Sequence, residues 1–178
     1  MEKQNASSKI KFSLLFAVVC MVVGCGYAFA PQGEHFDRRI KNIYVEPFGN
    51  KTAQAEIENF MRTAFIDQII QNSRFKAVPN IEQADAIISG NILNITSVAL
   101  SYRKSILAAE ERMTITMETA FREKDSGKTL WSSRNVTATV DYELQDDINL
   151  LPSTKKRALT KLSRDTAEKA FNMMMSNF

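Results

Sequence analysis

The stretch from Glu111 to Tyr142 leaves the folding chain few choices. Its first part, ERMTITMETAFREK, alternates: Met113, Ile115, Met117 and Phe121 fall on one side of an extended backbone, and Thr114, Thr116, Glu118 and Arg122 on the other. A period of two with one apolar side is the pattern of a half-buried antiparallel strand. DSGK, Asp125 to Lys128, fits a tight hairpin turn with Gly127 at the position that needs a positive φ. The returning run, TLWSSRNVTATVDY, puts Val136, Ala138, Val140 and Tyr142 toward the same apolar side. A hairpin with one apolar face needs a second layer to cover it.

Two helical stretches can supply that layer. Ile57, Phe60, Met61, Ala64, Phe65 and Ile69 recur at helical spacing over about 18 residues, with Glu58, Arg62 and Gln71 opposite them. A last helix, starting near Ser153, aligns Leu159, Leu162, Thr166, Ala170, Phe171, Met174 and Phe178, and the three methionines 173–175 finish its packing. Its first turns gather Lys155, Lys156, Arg157, Lys161 and Arg164, a solvated face or an alternative contact surface. Further strands precede the hairpin. IKNIYVEPF is rich in β-branched and aromatic residues and stops at Pro47. RFKAV, residues 74–78, is a short candidate, and ADAIISGNILNITSVAL a longer one in which Gly90 marks a bulge or a close approach of another backbone. The connection ALSYRKSILAAE then reads as a loop. The order strand, helix, short strand, three longer strands, helix predicts an α/β two-layer sandwich: a mixed sheet of four to five strands with two helices on one face. Its other face, rich in Thr, Ser and Arg, is left for solvent or for a polar partner.

The N-terminus reads as an export signal. MEKQNASSKIK sets three lysines against one acid, and Phe12 to Val23 is an uncharged run of 12 residues. A membrane-spanning helix needs roughly 17 to 25 residues. An extended reading, Phe12 to Ala30, reaches 19 residues but contains Gly24 and Gly26, which helix interiors disfavour. VVGC, Val22 to Cys25, resembles the lipobox of bacterial lipoproteins, in which a peptidase cuts before an acylated cysteine. The resemblance makes Cys25 the lipidated first residue and removes Cys20 with the signal. Two or more acyl chains would hold the protein firmly on a membrane. Gly26 after the cysteine, rather than Asp, implies passage to the outer membrane in such families. The expected organisation is a signal peptide at 1–24, a lipidated N-terminus and tether at 25–39, and one α/β domain at 40–178.

Removal of residues 1–24 takes away three lysines and one glutamate, leaving 20 basic and 19 acidic residues of the original 23 and 20. So even a balance points to no polyanionic partner, and no nucleic acid is expected. With one cysteine left and lipidated, no internal disulfide can form. Catalytic chemistry is hard to assemble. His35, the one histidine, lies in the tether, and no glycine-rich phosphate loop is present. The adjacent acids Glu110 and Glu111, or Asp146 and Asp147, read as solvated loop charges. No enzyme activity, cofactor or metal site is expected.

CGYAF at the mature start, IYVEPFGNKTAQAE in the first strand, RFKAVPNIEQADAIISGNI, and two long strands before a C-terminal helix together resemble the lipopolysaccharide-assembly lipoproteins, the LptE family. The resemblance spans nearly the whole mature chain and implies an α/β sandwich. It further implies a non-enzymatic plug that sits in, and helps assemble, the outer-membrane lipopolysaccharide-transport β-barrel protein (LptD), lipid-anchored on the periplasmic side. Beside it, Tyr102, Arg103 and Lys104 form a candidate tip for lipopolysaccharide, with Arg103 and Lys104 pairing with its phosphates. The other reading is an envelope lipoprotein activating penicillin-binding proteins in cell-wall synthesis, which can share the first-strand pattern. That role calls for a long tether, and this one is short.

Overall fold

The first strand is brief because its sequence makes it so: β1 (Asn42–Val45) is followed by Glu46 and Pro47, and proline has no N–H to offer a neighbouring strand. The computed structural model describes residues 36–102, 108–144 and 147–176. After β1 come β2 (Gly49–Asn50), helix α1 (Ile57–Asn72), β3 (Lys76–Val78) and a 3-10 turn at Ile81–Gln83. The long strands β4 (Ala86–Tyr102), β5 (Ala108–Glu123) and β6 (Thr129–Glu143) follow, then a 3-10 turn at Ile148–Leu150 and helix α2 (Leu151–Ser176).

The strands form one mixed sheet in the order β3-β1-β4-β5-β6, with β2 also paired to β4. β1 runs parallel to β3 and β4, and β2 continues its track along β4; β4, β5 and β6 are antiparallel. Residues 74–78 do join the sheet, through Lys76–Val78 paired with Asn42–Tyr44. The connection expected as a loop is shorter than its sequence suggests. Ala99 to Tyr102 and Ala108 to Glu110 belong to β4 and β5, continuing the ladder behind them through register shifts between Ala99 and Ser101 and between Ser101 and Tyr102.

Both helices cover one face. Ile57, Met61, Phe65 and Ile69 of α1, with Leu162, Ala167, Ala170 and Phe171 of α2, are buried against Ile43, Ile88, Ile92, Met113, Ile115, Met117, Phe121 and Val136. Burying an apolar side chain of this size stabilises by about 1.5–3 kcal/mol. The face opposite α1's apolar stripe is not simply solvated, since Arg62 Nε donates to the Val45 carbonyl at 2.9 Å and Glu58 accepts from Asn50 Nδ2 at 2.9 Å. Asp85 ties the starts of β1 and β4 together by accepting the N–H groups of Lys41 and Asn42 at 2.9 and 2.8 Å. Gly90 answers to close approach: a Cβ there would lie 2.3 Å from the Glu118 carbonyl oxygen. The bulge on β4 falls two residues later, between Ile92 and Asn94.

Candidate functional site

Cys25, Arg103 and Lys104, singled out above as sites of lipidation and phosphate contact, lie outside the described residues, as do Phe178 and Asp146. What the structure does place are the described segments that follow Cys25 and flank Arg103 and Lys104 in sequence. Phe36, the first described residue, packs edge-on against Phe121, centroids 5.1 Å apart, and against Phe75 at 6.3 Å. Arg74 locks this segment: Nη1 donates to the Ile40 carbonyl at 3.0 Å, and Nη2 to those of Phe36 and Asp37 at 3.1 Å. Its guanidinium lies over the Phe75 ring at 4.5 Å. Asp37, bonded to the Arg39 side chain and N–H, is held down at about 2 by those contacts.

The Tyr102–Ala108 end lies at the far end of the long strands. Phe121 pairs with Ile88, and Tyr102 with Ala108. From Ile88 to Tyr102, at about 3.3 Å per residue, is roughly 45 Å along β4. Val98, Leu100 and Tyr102 are 61%, 42% and 68% exposed there, unusual for large apolar or aromatic side chains on a strand. The start of α2 lies at the same end, with Lys155 beside Ile95, Ser97 and Met113. Lys155, Lys156, Arg157, Lys161 and Arg164 are all exposed. Lys161 pairs with Asp165 at 2.7 Å, and Lys156 sits over the Phe60 ring at 6.0 Å.

Glu111, expected as a solvated loop charge, is half-buried and accepts the Tyr142 hydroxyl at 2.5 Å. Burial first, and then the Glu111 carboxylate, push that hydroxyl up to about 12. Asp147 is exposed and serves locally, accepting the Asn149 N–H at 2.9 Å. Among the described residues no group of three or more His, Cys, Asp and Glu gathers to hold a metal, and no helix is long and apolar enough to cross a membrane. Sequence reasoning missed the Arg74 lock. The one signal that could have suggested it is an arginine just before a strand, with carbonyl partners some 35 residues earlier that only the fold brings near.

A sequence model of the LptE lipopolysaccharide-assembly family matches residues 40–174. No curated protein matches the chain. Similar solved structures include an uncharacterized lipoprotein B from Nitrosomonas europaea, with 16% identity and a TM-score of 0.49, covering 85% of this chain and 92% of that one. Another is a minor lipoprotein from Acinetobacter baumannii, with 12% identity and a TM-score of 0.46, covering 78% and 92%. At such identities and TM-scores these structures carry no part of the functional argument.

Proposed function

Because the chain belongs to the LptE lipopolysaccharide-assembly family, we propose that it is an outer-membrane lipoprotein that plugs, and helps assemble, the β-barrel inserting lipopolysaccharide into the outer leaflet. Membership makes it a non-enzymatic assembly lipoprotein of the envelope; the family match over residues 40–174 is the observation that carries the reading. In this reading residues 1–24 are removed, Cys25 takes the acyl chains, and the segment expected above as residues 25–39, docked on the body from Phe36 onward, tethers it at the periplasmic surface of the outer membrane.

The geometry suits such a role. Phe36, the first described residue, packs at one end of the sheet, and the long hairpin reaches roughly 45 Å the other way, so a body held at a membrane by its N-terminus can extend into a wide lumen. The sheet face away from the helices is polar, with Thr96, Thr114 and Thr139 in one row and the Arg112–Asp141 pair at 2.7 Å beside it. A water-filled lumen tolerates such a surface. At the far end Arg103 and Lys104 contact lipopolysaccharide phosphates, and the exposed basic face of α2 is the alternative contact.

The test is affinity purification of C-terminally tagged protein from detergent-solubilised envelopes. A large β-barrel recovered in stoichiometric amount is expected. A penicillin-binding protein in its place would overturn the reading in favour of cell-wall synthesis. For the phosphate contact, Arg103→Ser with Lys104→Ser should weaken lipopolysaccharide binding by the purified protein, and unchanged affinity removes that contact.

A further inference from the structure

On the sheet face turned away from the helices, a groove of about 460 Å³ crosses β4, β5 and β6 beside the end of β1. Its floor is a row of small side chains in register, Ser89, Ala120 and Ser132. Two bulges lie further along the strands. Leu93 is the extra residue on β4, and on β6 Arg134 and Asn135 together stand opposite the single residue Glu118. Bulges bend a strand and re-aim its side chains, often next to functional sites. Here the β6 bulge turns Arg134 to line the groove.

The charges along it are unevenly satisfied. Glu118 is engaged, accepting from Asn91 Nδ2 at 2.8 Å with Lys51 Nζ at 3.8 Å. Arg122, which lines the same groove, is engaged at one nitrogen only. Its Nη2 donates to Ser89 Oγ at 3.2 Å and pairs with the Glu46 carboxylate at 3.7 Å, while its enclosed Nε–H meets no acceptor among the described residues. Arg134 is exposed and has no ion-pair partner among the described residues.

We propose that this groove binds a tetrahedral oxyanion, the phosphate of a phosphate-bearing group, between Arg122 and Arg134. Guanidinium forks match phosphate oxygens in geometry and charge. Donors reach the groove from Arg122, from Arg134 and from the serine hydroxyls of its floor. A set of donors drawn from several sides of one groove suits an anion with oxygens pointing in several directions better than a planar carboxylate with two. The site is distinct from the far-end contact at Arg103 and Lys104, and does not depend on the barrel. A free phosphate and a phosphorylated lipid headgroup share this chemistry.

The mature chain, 15N-labelled at arginine and held in phosphatidylcholine nanodiscs, allows the arginine Nε–H signals to be followed by NMR as inorganic phosphate is added. Saturating shifts of Arg122 and Arg134 are expected, with acetate and chloride at matched ionic strength giving none. Arg134→Gln changes an exposed side chain and should weaken binding about tenfold, the loss of one charge-assisted contact. Linear shifts, equal shifts with acetate or chloride, or unchanged affinity in Arg134→Gln would overturn the site. Nanodiscs containing phosphatidate then separate the sources. Signals already shifted, and no longer moved by phosphate, identify a lipid headgroup; an unchanged titration identifies a soluble ligand.

Discussion

Glu56 holds a backbone conformation that a residue with a Cβ resists, with φ at 66° immediately before α1. That region costs a non-glycine residue roughly 1–2 kcal/mol, and the Glu56 side chain makes no capping hydrogen bond in return. Glu56→Gly should therefore stabilise the fold by roughly 0.5–1 kcal/mol, visible as a higher midpoint of thermal unfolding; a lower one would mean that the carboxylate does something the contacts do not show. Ser163 poses a different residue-scale problem. It is fully buried in α2 and its hydroxyl has no hydrogen-bond partner among the described residues. Ser163→Ala removes the unsatisfied group and improves helix propensity, so a gain of about 1 kcal/mol in urea unfolding is expected. Tyr142 carries a pH signature. Its hydroxyl pKa is raised from 10.0 to about 12, so the folded state favours the protonated phenol. The resulting stabilisation is complete below pH 10 and is lost as the pH climbs toward 12. An ultraviolet titration should show one tyrosine ionising late, and Tyr142→Phe should remove that late step. If Tyr142→Phe leaves the titration's last step in place, the assignment fails.

At the scale of elements, the β4–β5–β6 meander shows that glycines can matter for unlike reasons. Gly127 sits in the turn with φ at 68° and open space around it, so its replacement is opposed by backbone strain alone. Gly90 has no such φ, but a side chain would meet the Glu118 carbonyl at 2.3 Å and Thr119 Cα at 3.1 Å, both backbone. The strands would have to part. Gly90→Ala is expected to cost about 1–3 kcal/mol by overpacking, measured by denaturant unfolding, while a cost near zero would show the strands to be freer than their register implies. The same meander marks how far the sequence could be read. Alternation from Met113 to Phe121 and from Val136 to Tyr142 named the buried face and the turn, because a period of two is local information. The parallel pairing of β1 with β3 and β4 was not legible, since it depends on where α1 lays the chain down. Nor were the bulges. A one-residue slip at Asn135 reassigns Arg134 from one side of a strand to the groove, and no pattern within β6 announces it.

At the scale of the whole molecule, the feature with most consequence is the joint where the chain arrives. Phe36, 7% exposed, is the first described residue, and it plugs a cluster completed by Phe75 and Phe121. Arg74 closes over it by occupying three carbonyls of the segment from Phe36 to Ile40. An N-terminal anchor would then pull on a fixed point at one end of the sheet, not on a frayed strand, and the far end would keep a defined reach. Legibility again stops at a physical boundary: the tether was expected to run to Arg39, because Phe36 among charges looks like linker until the cavity it fills exists. Arg74→Ala should leave the body folded, since α1, α2 and the long strands carry the core without it. Its effect should be local opening, which is governed by the contacts of the opening segment and not by global stability. The bonds after Arg38 and Arg39 lie inside that segment and are trypsin sites. Replacing a charge-assisted donor is expected to raise their cleavage rate by about tenfold or more, with far-ultraviolet circular dichroism unchanged. Phe36→Ala, which empties the cluster instead of unlatching it, should do the same. Equal cleavage rates in wild type and both variants would show that the joint does not hold the chain, and that the reach of the body from its anchor is set by a longer, looser tether.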